Sequence, residues 1–174
     1  MNEYFRKIKR YLFILIASFC WGACGSEPQA ETPNPPKKTS YRPAFEQFIE
    51  KINAHEVKAM GELFSDDHVF IDAQDKKLEG KQRLIEGWEA YFTLFPDYQI
   101  NIEEIIEKDS TVIGFGKASG TYMGMTSELN ENRWEIPAVW RAEIAKGKIK
   151  QFRIYCDTKI IYEIIKSNQP SSDF

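Results

Sequence analysis

The chain has 174 residues, of which 43% are hydrophobic and 14% aromatic, enough apolar content for one domain with a sizeable core. Its 23 basic and 26 acidic residues leave a formal charge of −3. An acidic balance excludes a nucleic-acid partner, which would need a basic face.

The N-terminus reads as an export signal. Arg6, Lys7, Lys9 and Arg10 form a basic start, Tyr11 to Phe19 an apolar run, and Gly22-Ala23 a small pair ahead of Cys24. That order describes a secretory signal peptide. The apolar run is shorter than the roughly 20 residues of a membrane span. The small pair before cysteine resembles the lipobox of bacterial lipoproteins, with Trp21 where an aliphatic residue is usual. The resemblance implies that residues 1–23 are removed, that lipid attaches to Cys24, and that the protein is held to a membrane of the bacterial cell envelope. Periplasmic and surface faces both remain open. Without residues 1–23 the chain has 19 basic and 25 acidic residues, a formal charge of −6. Cys20 leaves with the leader and Cys24 carries lipid, so Cys156 has no internal disulfide partner. It alternates with apolar Phe152 and Ile154 and reads as a small buried thiol. With two histidines in the chain, no zinc set is expected.

Residues 24–40 hold Pro28, Pro33, Pro35 and Pro36 among polar residues and read as a tether. A domain over 41–166 follows, then a loose tail over 167–174. Phe45, Phe48, Ile49 and Ile52 have helical spacing, and Val57, Met60, Leu63 and Phe64 suggest a second short helix. Ser65-Asp66-Asp67 predicts a turn, His68 to Ala73 a short strand, and Gln74 to Gly80 a polar loop. Leu84, Ile85, Trp88, Tyr91, Phe92 and Phe95 mark a third helix that stops at Pro96. Strands are then predicted over 98–107, 111–123, 134–144 and 149–157, with a last helix over 158–165. Helices followed by a run of antiparallel strands make an α+β domain.

This order, with Phe64-Ser65-Asp66-Asp67-His68-Val69-Phe70-Ile71-Asp72, Phe95-Pro96-Asp97, Gly120-Thr121-Tyr122-Met123-Gly124 and Tyr155-Cys156-Asp157, resembles the nuclear transport factor 2-like superfamily. Within it, the chain is most similar to SnoaL-like and ketosteroid-isomerase-like domains. The resemblance implies a cone-shaped, curved antiparallel sheet wrapped around the N-terminal helices, with an apolar pocket between them. It implies no single reaction, because this fold hosts isomerases, cyclases, hydrolases, scaffolds and binders.

Alternation assigns the pocket face. Ile136, Ala138, Trp140, Ala142 and Ile144 share one side of their strand, and Phe152, Ile154 and Cys156 one side of the next. Gly114, Gly116, Ala118, Gly120 and Tyr122 share a face whose small residues either leave room for a ligand or let the sheet bend. Asp72 shares a face with Phe70 and sits where the resemblance implies the general base of ketosteroid isomerases. A carboxylate in an apolar pocket is tuned toward proton transfer; the alternative is a strand-end acid that binds backbone amides. Tyr122, Trp140, Trp88, Phe70 and Ile154 are the expected ligand-binding residues, with Tyr91 among the aromatics that could join them.

The rest of the isomerase machinery is absent. Its helix tyrosine falls on Phe48 and its second acid near Ala138 or Val139, so that activity itself is not expected. An epoxide-hydrolase-like site fails similarly, since its aspartate falls on Ile154. Asp157 reads as a helix cap, His68 as an exposed turn residue, and His55 as a partner of a helix C-terminus. No cofactor or metal is implied. The expected function is a pocket for a small apolar or mixed-polarity molecule, with acid–base chemistry of isomerase or cyclase type through Asp72. The alternative is a non-catalytic binding or interaction lipoprotein. Pairing of two copies through the sheet is a family expectation.

Overall fold

The computed structural model describes residues 39–124 and 132–169. The leader, Cys24 and most of the tether lie outside the described residues, as do residues 125–131 and 170–174. The chain from Lys38 onward forms one compact unit. Its elements are α1 (Arg42–Asn53), α2 (Val57–Leu63), β1 (Phe64–Ile71), β2 (Lys77–Glu79), α3 (Lys81–Leu94), β3 (Gln99–Lys108), β4 (Thr111–Thr121), β5 (Arg133–Ala145), β6 (Lys148–Cys156) and α4 (Lys159–Ser167). No described helix is long and apolar enough to cross a membrane.

The α+β architecture is as expected, with one correction to the sheet. The six strands run in the order β2-β1-β6-β5-β4-β3, and β1 pairs with β6 in parallel, so the curved sheet is mixed. A parallel pair needs a long connection, and here nearly the whole domain separates the two strands. β3, β4, β5 and β6 form the expected antiparallel meander.

Pro43 fits the first turn of α1, where its missing N–H is no loss. The helix buries Phe45, Phe48, Ile49 and Ile52 against the concave sheet face. Phe48 meets the edges of Phe64 and Phe152 at ring-centroid distances of 5.6 and 4.9 Å. α3 buries Leu84, Trp88 and Phe92 and ends one residue before Phe95, ahead of Pro96.

The turn expected at Ser65-Asp66-Asp67 is an irregularity inside β1. Phe64 pairs with Ile149 but Val69 with Gln151, so the bulge holds Ser65 to His68. This overturns the reading of His68 as an exposed turn residue. The bulge turns its ring inward to 1% exposure, stacked on Phe64 at 4.1 Å. Its Nδ1–H donates to the Ile149 carbonyl at 2.7 Å. Burial lowers its pKa to about 4, against the pull of that bond and of Asp67.

Part of the predicted polar loop is β2, a three-residue edge strand that pairs with Val69 to Ile71. Bending accounts for Gly116. A Cβ there would collide with the Asn101 carbonyl, where β3 bulges between Ile102 and Glu104. Gly114 instead yields space to the Phe45 ring, and from that row Ala118 reaches the cavity described below. The C-terminal boundary also moves. α4 continues through Ser167, and Asn168 is buried in a reciprocal amide pair with Asn132.

Candidate functional site

A cavity of about 430 Å3 opens between α3, the concave sheet and α4. Each wall follows from a local pattern. The helical spacing of α3 presents Leu84, Trp88 and Tyr91. Alternation in β5 presents Trp134, Ile136, Ala138 and Trp140, and that in β6 presents Ile154 and Cys156. α4 turns Ile161 and Ile165 toward the cavity and leaves Ile160 and Tyr162 exposed. Before it, Asp157 Oδ1 accepts from the Lys159 amide at 2.9 Å, a first-turn amide, although the cap position itself is Thr158, whose side chain makes no cap bond. At the other end, Asn168 Nδ2 donates to Asn132 Oδ1 at 3.0 Å and to the Ile164 carbonyl at 2.9 Å.

Five of the six expected pocket residues line this cavity: Asp72, Phe70, Trp88, Trp140 and Ile154. Tyr122 does not, and this is a correction. β4 ends at Thr121, so the alternation that aimed Tyr122 inward stops one residue short. Its amide donates to the Asn132 carbonyl at 3.1 Å, and its ring packs on Phe95 at 5.8 Å.

Asp72 follows the end of β1 at the rim. Its Oδ1 accepts from the Gln74 and Lys76 amides, each at 2.9 Å. The carboxylate therefore holds the β1–β2 turn, as the amide-binding alternative describes, while also standing on the cavity wall. Its Oδ2 makes no hydrogen bond among the described residues. Among the described residues, Asp72 is also the one charged side chain on the wall.

The inner end holds polar atoms that sequence reasoning passed over. Tyr98, 3% exposed, packs edge-on to Tyr91 at 5.1 Å and tilts against Trp134 at 6.1 Å. Trp140 lies close enough to bear on the ionisation of its hydroxyl, although the Trp140 indole N–H makes no hydrogen bond among the described residues. The Trp134 N–H is likewise buried and unbonded. Burial pushes the Tyr98 hydroxyl well above its ordinary pKa, with Tyr91 and Cys156 adding to it. Burial also raises Tyr91, followed by the effect of Cys156, and raises the half-buried Cys156 thiol itself, followed by Asp157. All three are neutral near pH 7. The inner end is thus a set of uncharged hydroxyl, indole and thiol groups in an apolar wall. Tyr98 was legible only as a strand's first residue; the missed signal was a polar-tipped aromatic at an inward position. No three His, Cys, Asp or Glu side chains among the described residues converge as a metal site would require.

The SnoaL-like domain model matches residues 45–152, from α1 into β6, which is more than half of the chain. The chain belongs to the SnoaL-like domain family. Solved structures agree on the fold of this SnoaL-like domain. A putative SnoaL-like polyketide cyclase from Jannaschia sp. CCS1 is 16% identical with a TM-score of 0.65, covering 80% of this chain and 99% of its own. An epoxide hydrolase of M. tuberculosis described as LEH-like is 15% identical with a TM-score of 0.61, covering 76% and 94%. A ketosteroid-isomerase-like protein from Catenulispora acidiphila, solved with trimethylamine, is 12% identical with a TM-score of 0.61, covering 76% and 95%. The match spans nearly the whole length of each of these solved chains. A comparison with curated proteins gives no significant match.

Proposed function

We propose that this SnoaL-like domain is a lipid-anchored binder of a small, neutral, largely apolar molecule. The cavity carries the reading. About 430 Å3 of space, walled by aromatic and aliphatic side chains with a few polar atoms, is the form of a small-molecule site. The aromatic walls suit a flat bicyclic or tricyclic body. The names of the structural relatives, a polyketide cyclase and an epoxide hydrolase, are in keeping with such ligands. The test is thermal denaturation of residues 38–174 against a panel of neutral mono- and bicyclic compounds. Binding to the native state should raise the midpoint with ligand concentration, and no stabilisation by any of them up to solubility would overturn the reading.

Anchoring rests on the sequence around Cys24. Cys24→Ala should move the protein from the membrane fraction to the soluble one, and continued membrane attachment would exclude the anchor.

Acid–base catalysis through Asp72 is the second reading, favoured by a cavity-lining carboxylate whose Oδ2 makes no hydrogen bond among the described residues. Asp72→Asn keeps an oxygen for the two amides and removes the base. Lost turnover at equal affinity identifies an enzyme, whereas no turnover in either form leaves a binder. Pairing through the sheet is supported by exposed Ile106, Phe115 and Tyr155 on strands β3, β4 and β6. Phe115→Glu should then convert a dimer to a monomer in sedimentation.

A further inference from the structure

We propose that the ligand is a neutral carbonyl compound that enters oxygen first, its carbonyl accepting from the Tyr98 hydroxyl while the Trp140 indole N–H donates to the Tyr98 oxygen from behind. The inference deepens the binding reading and rests on it.

Three observations carry it. Tyr98 lines the cavity and is 3% exposed, and its hydroxyl makes no hydrogen bond of its own among the described residues. Trp140 is fully buried, its N–H makes no hydrogen bond among the described residues, and it lies close enough to Tyr98 to bear on the ionisation of that hydroxyl. Trp134, on the same wall, holds a second buried and unbonded N–H. Buried donors are ordinarily paired, and leaving them unpaired is costly. A concentration of them at the closed end of an apolar cavity is accounted for by a partner that brings an acceptor.

The chemistry selects the acceptor. A tyrosine hydroxyl has one proton to give and lone pairs to receive. If it receives from Trp140, its proton is directed at the cavity, where a carbonyl oxygen with two lone pairs and no proton is the complement. An anion is disfavoured, because no cationic side chain among the described residues lines the wall and Asp72 stands at the rim. A cation is disfavoured at the inner end, because indole N–H groups repel it. A neutral oxygen is left, carried on an apolar body that the rings of Trp88, Tyr91 and Phe95 can sandwich.

The test compares 1-tetralone with tetralin, bodies of nearly equal shape that differ by the carbonyl. Both are titrated into residues 38–174 by calorimetry, for the wild type, Tyr98→Phe and Trp140→Phe. Tyr98→Phe should weaken 1-tetralone roughly tenfold, the size of a lost buried hydrogen bond, and leave tetralin unchanged. Trp140→Phe should weaken 1-tetralone by a smaller factor. In ¹⁵N-labelled wild type, the Trp140 indole proton should move downfield with 1-tetralone and not with tetralin, a signature that a purely packing role would not give. If both probes bind and the substitutions change them equally, or the indole signals stay fixed, the carbonyl inference fails while the binding reading stands. If neither binds up to solubility, both fail. The wild-type spectrum keeps the test decisive even where a variant unfolds.

Discussion

The two ends of the cavity handle polar atoms in opposite ways. At the rim, Asp72 accepts from two amides and Asp157 from a third, so the groups that shape the loops are paired within the chain. At the inner end, the buried indole N–H groups of Trp134 and Trp140 and the Tyr98 hydroxyl find no acceptor among the described residues. The rim is polar for the sake of its own backbone. The inner end is polar without bonds among the described residues, so the rim's polar groups serve the architecture while those of the interior are left over from it.

That contrast breaks first at Trp140. Its side chain is fully buried, so Trp140→Ala should cost about 3–5 kcal/mol through lost packing and the void left behind. Chemical denaturation reads it directly, and a loss under about 1 kcal/mol would mean that the wall collapses around the gap.

His68 sharpens the contrast, being a buried polar ring whose partner is supplied by the fold. Its folded pKa of about 4 lies below the unfolded value near 6.5. Between those values the unfolded chain binds more protons, so stability falls as pH falls. The contribution is complete above pH 6.5 and lost as pH drops through about 4, to an extent of about 3 kcal/mol. Urea midpoints between pH 7 and 4 should show this slope, and His68→Phe should flatten it.

Smaller effects separate the two ends. Asp72→Ala strands two amides that water can reach, so it should cost about 1 kcal/mol. Tyr98→Phe removes a hydroxyl that makes no hydrogen bond among the described residues and should change stability by less than about 0.5 kcal/mol. Melting curves of the two variants side by side check the ordering. A large loss in Tyr98→Phe would show that the hydroxyl proton already has an acceptor inside the protein and sink the proposal that a ligand receives it.

Much of the fold is legible because one face of each long element is buried. Phe45, Phe48, Ile49 and Ile52 announce α1, and alternation from Trp134 to Ile144 announces β5 and its inward face. Those strands place Trp140 and Ile154 on the cavity, as α3 places Trp88. What fails has a physical reason in each case. β2 is three residues long with charges at both ends, so neither period nor composition marks it. His68 is turned inward by a bulge, and alternation presumes a regular ladder. Tyr122 lies just past the end of β4, where alternation no longer applies. Parallel pairing of β1 with β6 is a long-range choice that no local pattern encodes. Asp72 was legible as a residue of the site and also, in the amide-binding alternative, as a residue of the turn; the structure gives it both positions.

The parallel pair has a consequence for how the domain is made. The bond from His68 to Ile149 joins positions 81 residues apart. Contacts of such separation close slowly, because the loop between them must be ordered first. During synthesis β1 emerges early yet has only the short β2 beside it until β6 is complete. A chain cut before residue 148 would present the open edge of β1 to other chains, an invitation to aggregate. Growth of the last sheet strand is therefore the step that covers an exposed edge and completes the cavity wall.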